Sequence, residues 1–176
     1  MAEKITAGPP VEALGVHDPS QHHHEEGHDY NFYAYMAEVE VDRDTGHVSV
    51  EDVVAVVDVG TVINPVAHQG QLDGGFIYGF GGTMMEDLVI EDGHVTTLSL
   101  GEYKMPTQMD VPRFRTILLP PADGPGPFGA KSAGETTNTG VAGAIANAVS
   151  AAVGVHITNV PISAERVYEA LRANGG

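Results

Sequence analysis

The residues with the clearest chemical potential lie in segment 129–135, which reads GAKSAGE. It delivers the carboxylate of Glu135 at the end of a loop of small residues, and the next acidic residue downstream is Glu165. Small residues let a backbone approach a ligand closely, and a carboxylate on such a loop can act as a general base. One alternative is a tight turn with an exposed Glu135, and another is a surface ion pair between Lys131 and Glu135, which contributes little to stability.

A second candidate site is segment 70–75, which reads GQLDGG. The carboxamide of Gln71 both donates and accepts hydrogen bonds, and neighbouring glycines such as Gly70 leave room for a polar heterocycle. The alternative is a helix start with Gln71 solvated. Upstream, Asp58 and the pair Asn64-Pro65 are expected to cap the turn after a strand, which is a structural role.

A third candidate is a polar cluster that has the residue types of a zinc or nickel site. Its members are His22, His23, His24, Glu25, Glu26, His28 and Asp29. Their spacing matches no ordered metal-binding motif, so a solvated polar segment is the favoured interpretation. The chain also lacks a phosphate-binding Walker loop, a GxSxG elbow and an HExxH motif, so hydrolase and kinase classes receive no support.

Composition narrows the possible partners. The 176 residues include 24 acidic and 8 basic ones, for a net charge of −16, which argues against nucleic acids and anionic membranes. The absence of cysteine excludes disulfides and iron–sulfur ligation by this chain. No apolar run is long enough to span a bilayer and no signal peptide is recognised, so we expect a cytoplasmic protein. Segment 121–162 carries only three charged side chains, which predicts burial in this chain's core or against another chain.

Apolar alternation predicts a β-hairpin around a turn at residues 43–46, and Asp92-Gly93 predicts a second hairpin. The predicted strands are residues 32–42, 48–58, 88–91, 94–98 and 114–119. The predicted helices are a glycine-rich one over 68–85, an alanine-rich one over 140–153 and a last one over 164–173. Glycine weakens a helix, so the first of these needs tertiary support.

The helical patterns also predict local details. Ile145, Val149 and Val153 share one face of the alanine-rich helix, and Ser163 is a candidate N-cap of the last helix. We therefore expect an α+β fold, in which β-hairpins and short strands pack with glycine- and alanine-rich helices. Residues 1–30 are predicted to be an irregular N-terminal segment, and residues 31–176 the folded domain.

Five segments, in order, resemble the molybdopterin-binding large subunit of molybdenum hydroxylases of the xanthine oxidase, aerobic carbon monoxide dehydrogenase and nicotinate dehydrogenase family. Together they cover roughly residues 32 to 172, and five ordered matches are far more specific than one glycine motif. The segments are AEVEVDRDTGHV, VVDVGTVINPVAHQGQLDGGFIYGFGGTMMED, EYKMPTQMDVPRF, GPFGAKSAGETTNTGVAGAIANAV and VPISAERVYEAL.

The resemblance implies that Glu135 is the catalytic base beside molybdenum and takes up a proton during water-dependent hydroxylation of an N-heteroaromatic compound or an aldehyde. It implies that Gln71 hydrogen-bonds the molybdopterin, and that Gly70 and the loop before Glu135 line the cofactor. The loop residues are Lys131, Ser132, Ala133 and Gly134. Ser132 stands where many family members have glycine or alanine, and no residue is assigned as a direct metal ligand.

The implied cofactor is molybdenum bound to molybdopterin, and the sequence leaves open whether the pterin carries a cytosine nucleotide. Flavin (FAD) and [2Fe-2S] clusters are expected on partner subunits that carry the electrons away. No cysteine is present to hold the copper of a carbon monoxide dehydrogenase.

Family subunits are several times longer, and this chain resembles only their C-terminal end. We expect a split molybdenum subunit, in which this chain packs against a larger molybdopterin-binding chain. Two alternatives remain: a non-catalytic assembly subunit of such a complex, and a metal-handling protein that uses the histidine cluster. Retention of Glu135 argues against the first.

Overall fold

The computed structural model describes residues 12–16, 30–121, 124 and 126–175 of the chain. The strands are β1 (Tyr33–Val41), β2 (Val48–Val57), β3 (Ile90–Glu91), β4 (His94–Val95) and β5 (Arg113–Leu118). The helices are α1 (Pro65–Met84), α2 (Val141–Val153) and α3 (Ala164–Ala173), and a 3-10 turn spans Pro127–Gly129. This mixture of elements confirms the predicted α+β class.

The main sheet has three strands in the order β1-β2-β5. β1 and β2 form the predicted antiparallel hairpin, in which Tyr33 pairs with Val57. The Asp42 carboxylate closes the turn by accepting a hydrogen bond from the backbone N–H of Asp44 (2.8 Å). β5 lies parallel to β2 on its other side. The sequence predicted this strand but not its partner, because parallel strands are joined by long connections and leave no local turn signal.

The core lies on one face of this sheet. Alternate residues of β2, namely Val53, Ala55 and Val57, are fully buried, as the period of a strand requires. The ring of Phe76 on α1 stacks on the ring of Phe114 on β5, with centroids 4.0 Å apart. Helix α1 is therefore fixed against the same sheet face.

The opposite face of the sheet is open and carries both apolar and charged side chains, including Arg115, which pairs with Val54. Met36 pairs with Val54 and Val56 pairs with Ile117, so the four side chains form two adjacent rows. Met36 is 72% exposed and Ile117 is 52% exposed. We call Met36, Val54, Val56 and Ile117 the outer sheet face.

Helices α2 and α3 complete the core. The predicted apolar face of α2 is confirmed, because Ile145, Val149 and Val153 are buried. Ser163 is the N-cap of α3, and its hydroxyl accepts a hydrogen bond from the backbone N–H of Arg166 at 3.3 Å, as predicted.

Helix α1 begins slightly before the predicted residue 68. The side chain of Asn64 accepts a hydrogen bond from the backbone N–H of Ala67 (3.1 Å), and Pro65 occupies the first helical position, where its missing N–H costs nothing. The predicted tertiary support is present, because Leu72 and Phe76 are fully buried.

The short strands β3 and β4 confirm the second hairpin. Asp92 and Gly93 connect them with φ angles of 49° and 80°, which is the left-handed backbone that a two-residue hairpin turn requires. The strands are shorter than predicted, because only Ile90 pairs with Val95 and Glu91 with His94.

The prediction for the charge-poor segment 121–162 is confirmed for the core of this chain, and burial of the rest against another chain stays a prediction. The buried face of α2 belongs to this segment, but Phe128 is 85% exposed and Glu135 is also exposed. Low charge in this part of the chain therefore marks both core and accessible surface.

Across the described ranges, no helix is long and apolar enough to cross a membrane. The same residues contain no group of three or more histidine, cysteine or acidic side chains that could hold a metal ion. The histidine-rich cluster at 22–29 lies outside the described residues, so its metal-binding interpretation stays a prediction.

Candidate active site

The segment that carries Glu135 is fastened to the chain just after β2. The backbone N–H of Lys131 donates to the carbonyl of Val59 (3.0 Å), and the N–H of Thr61 donates to the carbonyl of Gly129 (3.1 Å). Between these bonds, Gly60 has a φ of +61°, and a Cβ there would lie 2.2 Å from the Gly129 carbonyl oxygen. Only glycine fits this crossing.

Lys131 forms a buried ion pair with Asp58, not the surface pair with Glu135 that was one interpretation of the sequence. Its Nζ lies 2.6 Å from Oδ2 of Asp58, and the two side chains retain only 10% and 9% exposure. The same ammonium donates to the carbonyl of Tyr30 (3.2 Å). The hydrogen bond from Lys131 lowers the pKa of the Asp58 carboxyl below its ordinary value.

Asp58 also has the turn role predicted from the sequence. Its Oδ1 accepts a hydrogen bond from the backbone N–H of Gly60 at 3.2 Å. One carboxylate therefore shapes the turn after β2 and holds the lysine of the Glu135 loop. The sequence suggested the first role but gave no signal for the second.

Thr136 links the Glu135 loop to the start of β1. Its hydroxyl donates to the carbonyl of Ser132 (3.2 Å) and accepts from the amide of Asn31 (3.1 Å). The same Asn31 amide donates to the Ser132 carbonyl, and the Tyr35 hydroxyl donates to the carbonyl of Thr136 (3.4 Å). Burial raises the pKa of the Tyr35 phenol, and the nearby Tyr33 adds to the effect.

Gln71 lies next to this loop. It is exposed on the second turn of α1, not at the helix start as one interpretation held. A Cβ built on Gly134 would meet its Oε1 at 3.7 Å. The carboxamide of one candidate segment and the backbone of the other therefore lie side by side. Gly70, the preceding residue of α1, is also exposed.

The edge of the Glu135 loop is open to a ligand. Ser132, Gly134 and Glu135 are exposed and Ala133 is half-buried. Within the described part of the chain, the backbone N–H groups of residues 132 to 135 donate no hydrogen bond, and the Glu135 carboxylate has no hydrogen-bonding or ionic partner. A row of free donors beside a carboxamide and a free carboxylate suits a polar, oxygen-rich ligand.

Three supporting residues had no place in the sequence analysis. Asn31, Thr136 and Thr137 hold the Glu135 loop against β1 and α1. Thr136 and Thr137 follow Glu135 directly, so adjacency to the candidate base was the one available signal. Asn31 is far from the loop in the sequence, and no signal there pointed to its role.

Comparison with known proteins identifies the family of this chain. A family model described as a molybdopterin cofactor-binding domain matches residues 1–112 of the chain. A probable hypoxanthine oxidase of Escherichia coli (strain K12) is 36% identical over 144 residues, which are 81% of this chain and 15% of that protein. The molybdenum-binding subunit of an aldehyde oxidoreductase of the same organism is 33% identical over 143 residues, covering 80% of this chain and 20% of that subunit.

Among solved structures, the quinoline 2-oxidoreductase of Pseudomonas putida 86 superposes with a TM-score of 0.71 and 36% identity, covering 76% of this chain and 18% of that one. The chain thus spans 15 to 20% of the length of the curated relatives described above. Because the family model covers more than half of it, this chain belongs to the molybdopterin cofactor-binding domain family, and these relatives are named as oxidoreductases.

Proposed function

We propose that this chain forms one wall of a molybdenum hydroxylase active site, in which Glu135 is the base and Gln71 hydrogen-bonds the molybdopterin. The observation that carries the proposal is the contact between the two candidate segments, where Gln71 Oε1 lies against Gly134, the residue before Glu135. The two segments are far apart in the sequence, but the fold brings them together at one exposed edge.

The residues at this edge fit a molybdopterin cofactor. Pterins and phosphates present several acceptors and donors, and the Gln71 amide and the free N–H groups of residues 132–135 complement them. The Lys131 side chain is held by Asp58, so we assign its contribution to the backbone. Ser132, Ala133 and Gly134 likewise present backbone, and the hydroxyl of Ser132 adds one further donor. Gly70 lies within α1 and leaves open space beside Gln71, because it has no side chain.

The bound cofactor would supply the two-electron chemistry of hydroxylation. The part of this chain is to accept a proton at the carboxylate of Glu135. That carboxylate is exposed and has no partner among the described residues, so no internal hydrogen bond competes for its lone pairs. A general base needs this freedom, together with a fixed approach to the proton it removes.

We further propose that a larger chain supplies the rest of the subunit. The relatives extend far beyond the matched region, and the outer sheet face exposes Met36 and Ile117, which is the kind of apolar surface that an interface covers.

The reaction class we propose is hydroxylation of an N-heteroaromatic compound or an aldehyde, since the named relatives include enzymes for hypoxanthine, quinoline and aldehydes. Electrons would leave through flavin and [2Fe-2S] subunits, and the pterin would be carried with or without its cytosine nucleotide.

The test is purification of the native complex, followed by metal analysis, mass spectrometry and assays with heteroaromatic and aldehyde substrates and an artificial electron acceptor. We expect molybdenum in proportion to this chain, together with a longer molybdopterin-binding chain, a flavin chain and an iron–sulfur chain. A chain that purifies alone and without molybdenum contradicts the proposal.

A further inference from the structure

Thr137 makes a buried contact with helix α1 that has no role in the proposed function. Its side chain is fully buried, and its hydroxyl donates a 2.6 Å hydrogen bond to the backbone carbonyl of Leu72 on α1. Thr137 lies two residues after Glu135, and Leu72 directly follows Gln71. A side-chain hydrogen bond therefore joins the residue two positions after the proposed base to the backbone next to the proposed cofactor ligand.

The surface of α1 is shaped for this hydroxyl. A Cβ at Gly75 would lie 2.4 Å from Oγ1 of Thr137 and 3.4 Å from the carbonyl oxygen of Gly134. Real atoms do not approach that closely, so any side chain at Gly75 would displace Thr137 and with it the loop. The missing Cβ and the short hydrogen bond are two features of the same contact.

No other hydrogen bond in the described residues joins α1 to segment 131–140. Thr136 is bonded on the other side, to Asn31 and to Ser132. The two consecutive threonines thus hold Glu135 between β1 and α1. Thr136 fixes the loop to the sheet side, whereas Thr137 supplies the hydrogen bond that ties it to α1.

We propose that Thr137 is a positioning residue that fixes the separation between the Gln71 carboxamide and the Glu135 carboxylate. The inference rests on the proposed function. A base acts only within hydrogen-bonding distance of its proton, and a displacement of about 1 Å can cost about a hundredfold in rate. The β-branched threonine has a restricted χ1, so both its hydroxyl and its methyl group hold one arrangement.

The test compares Thr137→Val, which keeps the shape and removes the hydroxyl, with Thr137→Ser, which keeps the hydroxyl. Both are made in the complex as it purifies, beside Glu135→Gln. For Thr137→Val we expect kcat per molybdenum to fall about 10- to 100-fold, while KM and molybdenum content stay near those of the unmodified complex. We expect Thr137→Ser to retain most of the rate.

A second pair of variants distinguishes a loss of positioning from a general loss of folding. Gly75→Ala places a methyl group against the Thr137 hydroxyl, whereas Gly82→Ala on the same helix meets no atom within 4 Å. We expect the first to lower kcat and the second to leave it unchanged. Among the Thr137 and glycine variants, the electron paramagnetic resonance spectrum of molybdenum(V), recorded after partial reduction, should change with Thr137→Val and Gly75→Ala only.

Each outcome decides something. If Thr137→Val keeps its full rate per molybdenum while Glu135→Gln is inactive, the positioning role is wrong and the proposed function stands. The role is also wrong if Thr137→Val only lowers the melting temperature or the molybdenum content. If Glu135→Gln keeps full activity, the proposed function itself fails and the positioning role fails with it.

Discussion

The ammonium of Lys131 lies 2.6 Å from the carboxylate of Asp58, and the two side chains retain 10% and 9% exposure. The two residues are 73 positions apart in the chain. The lysine that precedes the proposed base by four residues is therefore an internal anchor, and its charge is balanced at the end of β2. This pair connects the stability of the fold to the geometry of the loop.

Substitution of either partner should destabilise the protein. Asp58→Asn leaves a buried ammonium without its counter-charge, and we expect a loss of about 3 kcal/mol in the free energy of unfolding. Chemical denaturation of the full chain at pH 7 measures it. The matched control is Asp52→Asn, because Asp52, itself 12% exposed, pairs with Arg113 and Arg115, whose charges are in water at 72% and 57% exposure. That variant should lose less than about 1 kcal/mol, and equal losses would contradict the anchoring role of the buried pair.

The same pair predicts how stability depends on pH. The pKa of Asp58 is lowered in the folded chain from an ordinary 3.8, so the unfolded chain binds more protons and stability rises with pH. This contribution is complete above the ordinary pKa and is lost as the pH falls through the lowered one. The difference in unfolding free energy between the unmodified chain and Asp58→Asn should therefore shrink below about pH 4. Denaturation curves from pH 7 to pH 3 measure it, and a constant difference would show that ionisation of Asp58 is not its cause.

Much of the fold could be predicted because its signals are local. The alternation in β1 and β2, the Asp92-Gly93 turn and the apolar face of α2 each lie within one short segment. The exact start of α1 was missed although its signal was present, because Asn64 and Pro65 were assigned to the turn and not to a helix cap. Local signals of this kind determine which helices and strands form, but not which of them pair or pack together.

The site required information that no local pattern contains. Gln71 and Glu135 were candidates from their own glycine-containing segments and took their roles from the family resemblance, but periodicity could not predict that α1 brings Gln71 against Gly134. The pairing of Lys131 with Asp58 depends on the parallel docking of β5 and on the crossing of residues 129–131 over Gly60. Long-range contacts of this kind follow from the packed fold and leave no trace in spacing.

Glu135→Gln tests the proposed base directly. The amide keeps the size of the side chain but cannot take up the proton, so we expect turnover to fall by about 10²- to 10⁴-fold with molybdenum content unchanged. Steady-state rates and metal analysis on the purified complex measure both. Glu169→Gln is the matched control, because Glu169 is an exposed glutamate on α3 outside the site. Unchanged turnover of Glu135→Gln would instead support a non-catalytic assembly role.

Gln71→Ala tests the proposed contact with the cofactor and should act differently. It removes an exposed carboxamide beside Gly134 and leaves the base in place, so we expect less molybdenum per chain, with affinity lowered by about tenfold, and a smaller change in kcat per molybdenum. Metal content after extended dialysis is the primary measurement. Gln69→Ala is the control, because the Gln69 amide bonds Asp73 and Thr116 and not the loop. If the two variants lose molybdenum equally, the loss comes from a loosened α1, and the assignment of Gln71 to the cofactor is wrong.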